Sequence, residues 1–154
     1  MKAIFITLLA LASAFAQRAL VAWAEFGPQI VIPGLTAATS LNNHQYGVVR
    51  LAAATTVNIA SEVNVAGALK TAIGVLQNKP YVNEPATVAF AGLSKVIAGG
   101  TITAGAYVSY NSSGHVIDAV SGDVVIGRAL EAATTALELA TVMLMPPVRG
   151  GSVV

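Results

Sequence analysis

Short apolar segments separated by turn residues run from residue 74 to residue 144, and they constrain the fold more than any other feature of the chain. The segments have the length of β-strands, and Gly, Asn and Ser recur at the joins between them. No long helical period follows residue 43. Short strands at a spacing of roughly eight to twelve residues are typical of sandwiches and barrels. We therefore predict an all-β fold, a small β-barrel or sandwich.

The individual strands can be predicted from local alternation and turn chemistry. The four residues NSSG at 111–114 form a loop of hairpin type, with Tyr107 and Tyr110 on opposite faces of the strand before it. Residues 131–135 are predicted as a loop or a single helical turn, and Pro146-Pro147 is expected to end the last strand. The predicted strands are 47–51, 56–59, 73–77, 86–90, 95–97, 107–110, 115–118, 124–128 and 137–145.

The chain is predicted to have three parts: an apolar N-terminal segment with a linker (1–43), a β-domain (44–146) and a C-terminal tail (147–154). The N-terminus, MKAIFITLLALASAFAQ, has the form of a signal peptide with cleavage after Ala16. Apolar character resumes after Arg18, which a signal peptide does not require, and Gly27-Pro28 would stop a helix. We favour a retained apolar arm or helix, with a cleaved signal as the alternative.

Composition points to assembly. Apolar residues make up 55% of the chain and charged residues only 10%, against a usual charged share of about 25%. A chain with so few charges is expected to cover much of its surface with neighbouring subunits, as in a homo-oligomer. The net charge is +1 and the basic residues are scattered, so we do not expect direct binding of nucleic acid. Cysteine is absent, which excludes disulfides and thiolate metal sites.

The two histidines and two of the aspartates are the first candidates for metal ligands. His44 and His115 fall in predicted loops without a metal-ligating partner at a suitable spacing, so we predict surface residues. Asp118 and Asp123 flank a turn, but no calcium-loop pattern follows. Capping of the turn by the aspartates is the preferred interpretation.

No other constellation indicates catalysis. Glu131 and Glu138 could be imagined as an acid–base pair, but nothing in the pattern brings them together across a cleft, and we predict solvated carboxylates. The chain has no GxSxG motif and no phosphate-binding loop. We therefore expect a protein that is not an enzyme and has no catalytic, cofactor-binding or metal site, no cofactor and no small-molecule substrate.

The order of short motifs from residue 73 onward resembles that of the small capsid cement proteins, or head decoration proteins, of tailed bacteriophages. The resemblance covers about half of the chain. The matching pieces are IGVLQN at 73–78, NEPATV at 83–88, Gly92, AGAYV at 104–108, Gly114, GDVVIGRALEAA at 122–133 and VML at 142–144.

This resemblance implies a structural protein of the virion, a β-domain that binds the outside of a phage head and bridges coat subunits. Its implied partners are the major capsid protein and other copies of itself, with a trimer favoured. Membrane association is expected only if the N-terminal segment is a signal. The alternative, from a different class of protein, is a secreted or periplasmic β-domain that acts as a binding or adhesion module.

Overall fold

The computed structural model describes residues 29–59 and 72–149, and this part of the chain contains ten β-strands and no helix. The all-β prediction is confirmed. No helix among these residues is long and apolar enough to cross a membrane. The strands are β1 Gln29–Ile32, β2 Thr36–Ala37, β3 Val48–Ala53, β4 Thr56–Ile59, β5 Ala72–Leu76, β6 Val88–Ile97, β7 Tyr107–Tyr110, β8 Val116–Asp118, β9 Val124–Ala129 and β10 Leu139–Arg149.

All ten strands belong to one sheet, in the order β2-β4-β3-β5-β6-β10-β9-β7-β8, with β1 paired to β6. Every pairing is antiparallel except that of β2 with β4. A bridge between Ala98 and Val116 links the outer strand β8 back to the end of β6. The strands from β6 to β8 therefore curl into a ring, which brings the loops near Ala98 and Val116 together.

The interior of the described part of the chain contains two apolar clusters. The larger lies within the ring and includes Tyr110, Ile126 and Val142. The smaller lies under β2, β3 and β4 and includes Leu41 and Val57. The strands β3 and β5 contribute side chains to both clusters, with Val48 and Val75 in the larger and Val49 and Leu76 in the smaller. The two clusters therefore belong to one domain.

Residues 29–43, which end the part predicted as an apolar segment with a linker (1–43), contribute two strands, and the linker interpretation is corrected for these residues. β1 pairs with β6, and the side chains of Leu35, Ala37 and Leu41 are buried in the smaller cluster. Burial of these side chains orders this segment together with backbone hydrogen bonds such as those from the Ala37 amide to the Glu84 carbonyl oxygen and from the Leu41 amide to the Pro80 carbonyl oxygen. The predicted N-terminal arm or helix, residues 1–28, lies outside the described residues, as does the tail from residue 150.

Two further strand predictions require correction. The strands predicted at 86–90 and 95–97 are one strand, β6, which passes through Gly92 at a φ of 98°. β10 does not end at the prolines but continues to Arg149. The register of β10 against β9 shifts between Leu144 and Val148, so the prolines fall in an irregularity where no ladder hydrogen bond is needed.

The local predictions at the hairpin are confirmed. β7 and β8 flank the NSSG loop, where Gly114 adopts a φ of 73° and Asn111 Oδ1 accepts hydrogen bonds from the amides of Ser113 and His115. Tyr110 is buried and Tyr107 is exposed, in agreement with their predicted placement on opposite faces. Residues 131–135 form a loop rather than a helical turn.

Candidate interaction surface

The residues considered for chemistry are used structurally. Asp123 Oδ2 accepts a hydrogen bond from the Val120 amide at 3.0 Å, which is the predicted turn cap. Asp118 instead accepts from the Thr103 amide, 15 residues away, at 3.0 Å, and so holds a different loop from the one predicted. Among the described residues, no group of three or more His, Asp or Glu side chains is placed to bind a metal ion.

The two glutamates also have separate structural partners. Glu131 Oε2 accepts a hydrogen bond from Thr141 Oγ1 at 3.0 Å. Glu138 Oε2 accepts from the amides of Thr134 and Thr135 at 2.8 and 3.2 Å. Those two amide hydrogen bonds lower the pKa of the Glu138 carboxyl below its usual value of 4.5, because they favour the charged form. Both side chains are exposed as expected, but each one fixes a loop.

The histidines are closer to each other than their sequence positions indicate. The loops that carry them meet where the Val48 amide donates to the Gly114 carbonyl oxygen at 2.8 Å. Partial burial lowers the pKa of His115 below 6.5, and the charge of His44 lowers it further. The proximity of His44 and His115 arises only in the folded chain, because the two residues are far apart in the sequence and no local motif connects them.

An apolar row crosses the outside of the sheet, on the face opposite the ring interior. Along β10, Ala140, Val142 and Leu144 are buried, whereas Met143 between them is 45% exposed. Its cross-strand neighbours are Leu93 on β6 and Arg128 on β9, and Arg128 lies opposite Tyr107 on β7. We call these residues, together with the exposed Ile30 on β1, the outer face: Ile30, Leu93, Met143, Arg128 and Tyr107.

Arg128 gives the outer face one fixed positive charge. Its guanidinium carbon lies 5.6 Å from the centre of the Tyr107 ring, and its Nε donates to the Gly105 carbonyl oxygen at 2.7 Å. A cation over an aromatic face is attracted by the negative face of the ring. The side chains of Arg128 and Tyr107 are therefore held in place rather than free to reorient.

A second exposed apolar region lies at Leu137 and Leu139, and we call these two residues and the cavity beside Leu139 the loop end. Leu137 is the most exposed large apolar residue in the described part of the chain, at 69%. The cavity is open, with a volume of about 350 Å³. It is lined by Asn42, Asn43, Gln45, Tyr46, Lys79 and Leu139.

The backbone holds the loop end rigidly. Leu137 and Tyr46 both have positive φ, 68° and 66°, a conformation that non-glycine residues seldom adopt. Leu137 is kept there by its bond to Ala98, and Tyr46 by a bond from its amide to the Leu76 carbonyl oxygen at 2.7 Å. Leu137 thus keeps a large apolar side chain mostly in solvent, in a backbone conformation that the fold holds. The sequence carried no signal for it, because the φ of Leu137 depends on a distant strand.

The two exposed regions differ from a catalytic site in their residues. The cavity has polar and apolar walls but no clustered acid–base groups, and the exposed apolar residues are distributed over two regions. Such an arrangement can bind another protein by shape and apolar contact.

A solved structure has a similar fold: the N base of the head fiber gp8.5 of bacteriophage phi29. The TM-score is 0.52 at 16% sequence identity, and the likeness covers 80% of this chain and 99% of that one. No protein-family model matches the chain, and no curated protein sequence matches it. At this identity the likeness is one of fold, so the all-β architecture described here is shared with the base of a phage head fiber.

Proposed function

We propose that the protein is a structural component of a phage head, a non-enzymatic cement or decoration protein that binds the outside of the coat and bridges its subunits. The observation that carries this proposal is the fold, which is similar to the base of a phage head fiber over 99% of the length of that base. The order of motifs from residue 73 to 144, which resembles capsid cement proteins, supports the same class independently of the fold comparison.

The surface properties agree with this role. A protein that remains on a shell needs extended apolar contact and few charges, because desolvating unpaired charges opposes binding. The chain has 10% charged residues, and its loop end exposes Leu137 and Leu139. In this proposal the coat protein binds the loop end, and further copies of the chain complete the attachment as a homo-oligomer, with a trimer favoured.

Leu137 is proposed as an anchor of the coat contact. Its amide donates to the Ala98 carbonyl oxygen at 2.8 Å, and the Ala98 amide donates to the Glu138 carbonyl oxygen at 2.8 Å. Because both bonds exist before binding, the backbone at this position loses little conformational freedom on docking. Burial of a leucine side chain contributes about 1.5–3 kcal/mol, which corresponds to more than a tenfold change in affinity.

A reconstitution experiment tests this proposal. Heads prepared without the protein are mixed with the purified full chain, and the bound fraction is measured by sedimentation over a range of protein concentrations. Leu137→Asn replaces the apolar side chain with a polar one, and asparagine tolerates positive φ. We expect the affinity of this variant for heads to fall about tenfold or more. Val120→Asn is the matched control, since Val120 is 65% exposed but lies in the β8–β9 turn.

The outcomes are distinct. Saturable binding of the wild type and of Val120→Asn, with weakened binding of Leu137→Asn, supports attachment through the loop end. If all three proteins bind saturably and with equal affinity, Leu137 is not an anchor, but the proposed binding to heads still holds. If the wild type does not bind heads at all, the proposed function is wrong.

A further inference from the structure

The loop end and the outer face lie on the same side of one strand. On β10, Leu139 and Met143 are each 45% exposed. Ala140 and Val142 lie between them in the sequence, point to the other side of the sheet and are buried. Side chains four residues apart on a strand share a face and are separated by about 13 Å. A single partner surface can therefore contact the loop end and the outer face together.

The guanidinium of Arg128 on the outer face uses only part of its hydrogen-bonding capacity. A guanidinium has five N–H donors in a planar fork. The donor on Nε is used by the Gly105 carbonyl oxygen at 2.7 Å, and the Tyr107 ring centre lies 5.6 Å from the guanidinium carbon. The donors on Nη1 and Nη2 have no acceptor among the described residues, and the side chain is exposed. Such a fork matches the two oxygens of a carboxylate.

The carboxylates of the chain itself are already used. Each of the five acidic side chains in residues 29–59 and 72–149 accepts a hydrogen bond from its own chain: Glu84, Asp118, Asp123, Glu131 and Glu138. A pair of hydrogen bonds to Arg128 needs both carboxylate oxygens, so it would compete with these bonds in a second copy. A carboxylate for Arg128 is therefore better supplied by a different protein.

We propose that the outer face docks on the coat protein beside the loop end, and that Arg128 there binds the carboxylate of an aspartate or glutamate. This inference rests on the proposed binding to phage heads and gives the chemistry of the partner surface. Leu93 and Met143, which flank Arg128, would exclude water from the pair, and a drier environment strengthens its hydrogen bonds. Because Tyr107 and Gly105 hold the guanidinium before binding, little side-chain freedom is lost on docking.

Binding to heads that lack the protein tests this inference. Sedimentation gives the affinity of the full chain at about 0.05 M and about 0.5 M salt, between which the screening of charges increases strongly. Arg128→Gln removes the charge and keeps a polar side chain, and we expect its affinity at low salt to fall about tenfold or more. The difference from the wild type should shrink at high salt. Arg128→Lys keeps the charge but loses the fork, so its affinity should lie between the two.

Two controls isolate the carboxylate. Arg50→Gln removes the same charge from β3, where Arg50 Nη1 donates to the Leu51 carbonyl oxygen, and should bind heads like the wild type. Amidation of the head carboxylates with a carbodiimide and methylamine should weaken binding of the wild type more than that of Arg128→Gln, which has already lost the interaction. Urea unfolding midpoints show whether each variant is folded. If Arg128→Gln is not, Arg128→Lys takes its place on treated and untreated heads.

Several results would overturn the inference. Equal low-salt affinity of Arg128→Gln and the wild type would do so and leave the proposed function intact, because head binding through the loop end is tested by Leu137→Asn. An equal loss in Arg50→Gln would show a general effect of charge. Amidation that weakens Arg128→Gln as much as the wild type would show that Arg128 does not bind a carboxylate of the head.

Two further outcomes concern the partner. Self-association of the unbound protein that is lost in Arg128→Gln, measured by sedimentation velocity, would place the carboxylate on another copy and contradict the inference. If the wild type does not bind heads at all, the inference fails together with the proposed function.

Discussion

Leu137 and Ala98 are joined across the mouth of the loop end, where the Leu137 amide donates to the Ala98 carbonyl oxygen at 2.8 Å. This bond extends the ladder of β6 and β10 beyond its last regular pair, Leu139 with Ile97. It holds Leu137 at a φ of 68°, so the fold accepts local strain at a residue whose side chain remains mostly in water.

Replacing Leu137 with glycine should separate stability from binding. Positive φ costs a non-glycine residue about 1–2 kcal/mol, and glycine removes that cost. Glycine also makes the unfolded chain more flexible, which lowers the free energy of unfolding by about 0.5–1 kcal/mol. Because the side chain is mostly exposed, little burial is lost. We expect the free energy of unfolding of Leu137→Gly to be unchanged or up to about 1 kcal/mol higher, measured by urea denaturation.

A clear loss of stability in Leu137→Gly would mean that the leucine side chain contributes to the fold, and its role as an exposed anchor would have to be abandoned. Under the proposed function, the same variant should bind heads at least as poorly as Leu137→Asn, because both remove the apolar side chain.

Gly127 on β9 should not tolerate a side chain. A Cβ atom at this position would lie 2.5 Å from the Met143 carbonyl oxygen on β10, and the two strands are paired at this point. Overpacking in a close-packed sheet costs about 1–3 kcal/mol, so we expect Gly127→Ala to lower the free energy of unfolding by that amount. Equilibrium urea unfolding measures it.

Gly100→Ala is the control for this substitution, because a Cβ atom added to Gly100 would have no neighbouring atom within 4 Å and the φ of this residue is not positive. Its stability should be within about 0.5 kcal/mol of the wild type. Equal effects of the two alanines would show that β9 and β10 are not as close as described.

His115 should make stability depend on pH below 6.5. Burial and the charge of His44 lower its pKa in the folded protein, so the unfolded chain binds more protons between the folded and unfolded pKa values. Stability is then fully present above 6.5 and falls as the pH is lowered through that window. We expect urea midpoints to decrease from above 6.5 down to 4.5, and His115→Gln to reduce this decrease.

Glu138 affects the measurement only near the lower limit of the pH range. Its pKa is lowered below 4.5 in the folded protein, so its contribution begins to fall as the pH approaches 4.5 and is lost mainly below that limit. If His115→Gln retains the full pH dependence of the wild type between those limits, His115 is not the group responsible.

Local features of this fold could be predicted because their physical causes lie within a few residues. The NSSG loop between β7 and β8 is one example, since Asn111 and Gly114 carry the turn chemistry themselves. The strand β9 is another, with an apolar run after the turn at Gly122 and Asp123. In both cases the nearest neighbours in the sequence are also the relevant neighbours in space.

Features that depend on distant partners could not be predicted in the same way. The sequence predicts a strand at 47–51 but not the burial of both of its faces, with Val48 in one cluster and Val49 in the other. β1 and β2 are too short to give a periodic signal and are recognised only by their partners β6 and β4.

The interaction surface was hidden from the sequence for the same reason. In the sequence, Leu137 is one apolar residue among many; in the fold its amide donates to the Ala98 carbonyl oxygen and its side chain lies mostly in solvent. Met143 belongs to an apolar run in which each neighbour is buried, and only its outward direction on β10 distinguishes it. Surface position is a property of the whole sheet, whereas composition indicated only that much of the surface would be apolar.

The location of the protein in an infected culture tests the central claim most directly. A lysate is separated on a density gradient, and each fraction is analysed by peptide mass spectrometry for this chain and for the coat protein. The account predicts that peptides from the β-domain migrate with DNA-filled particles at a fixed ratio to coat protein. Peptides confined to soluble or envelope fractions, with a mature chain that begins at Gln17, would contradict it and support a secreted binding module instead.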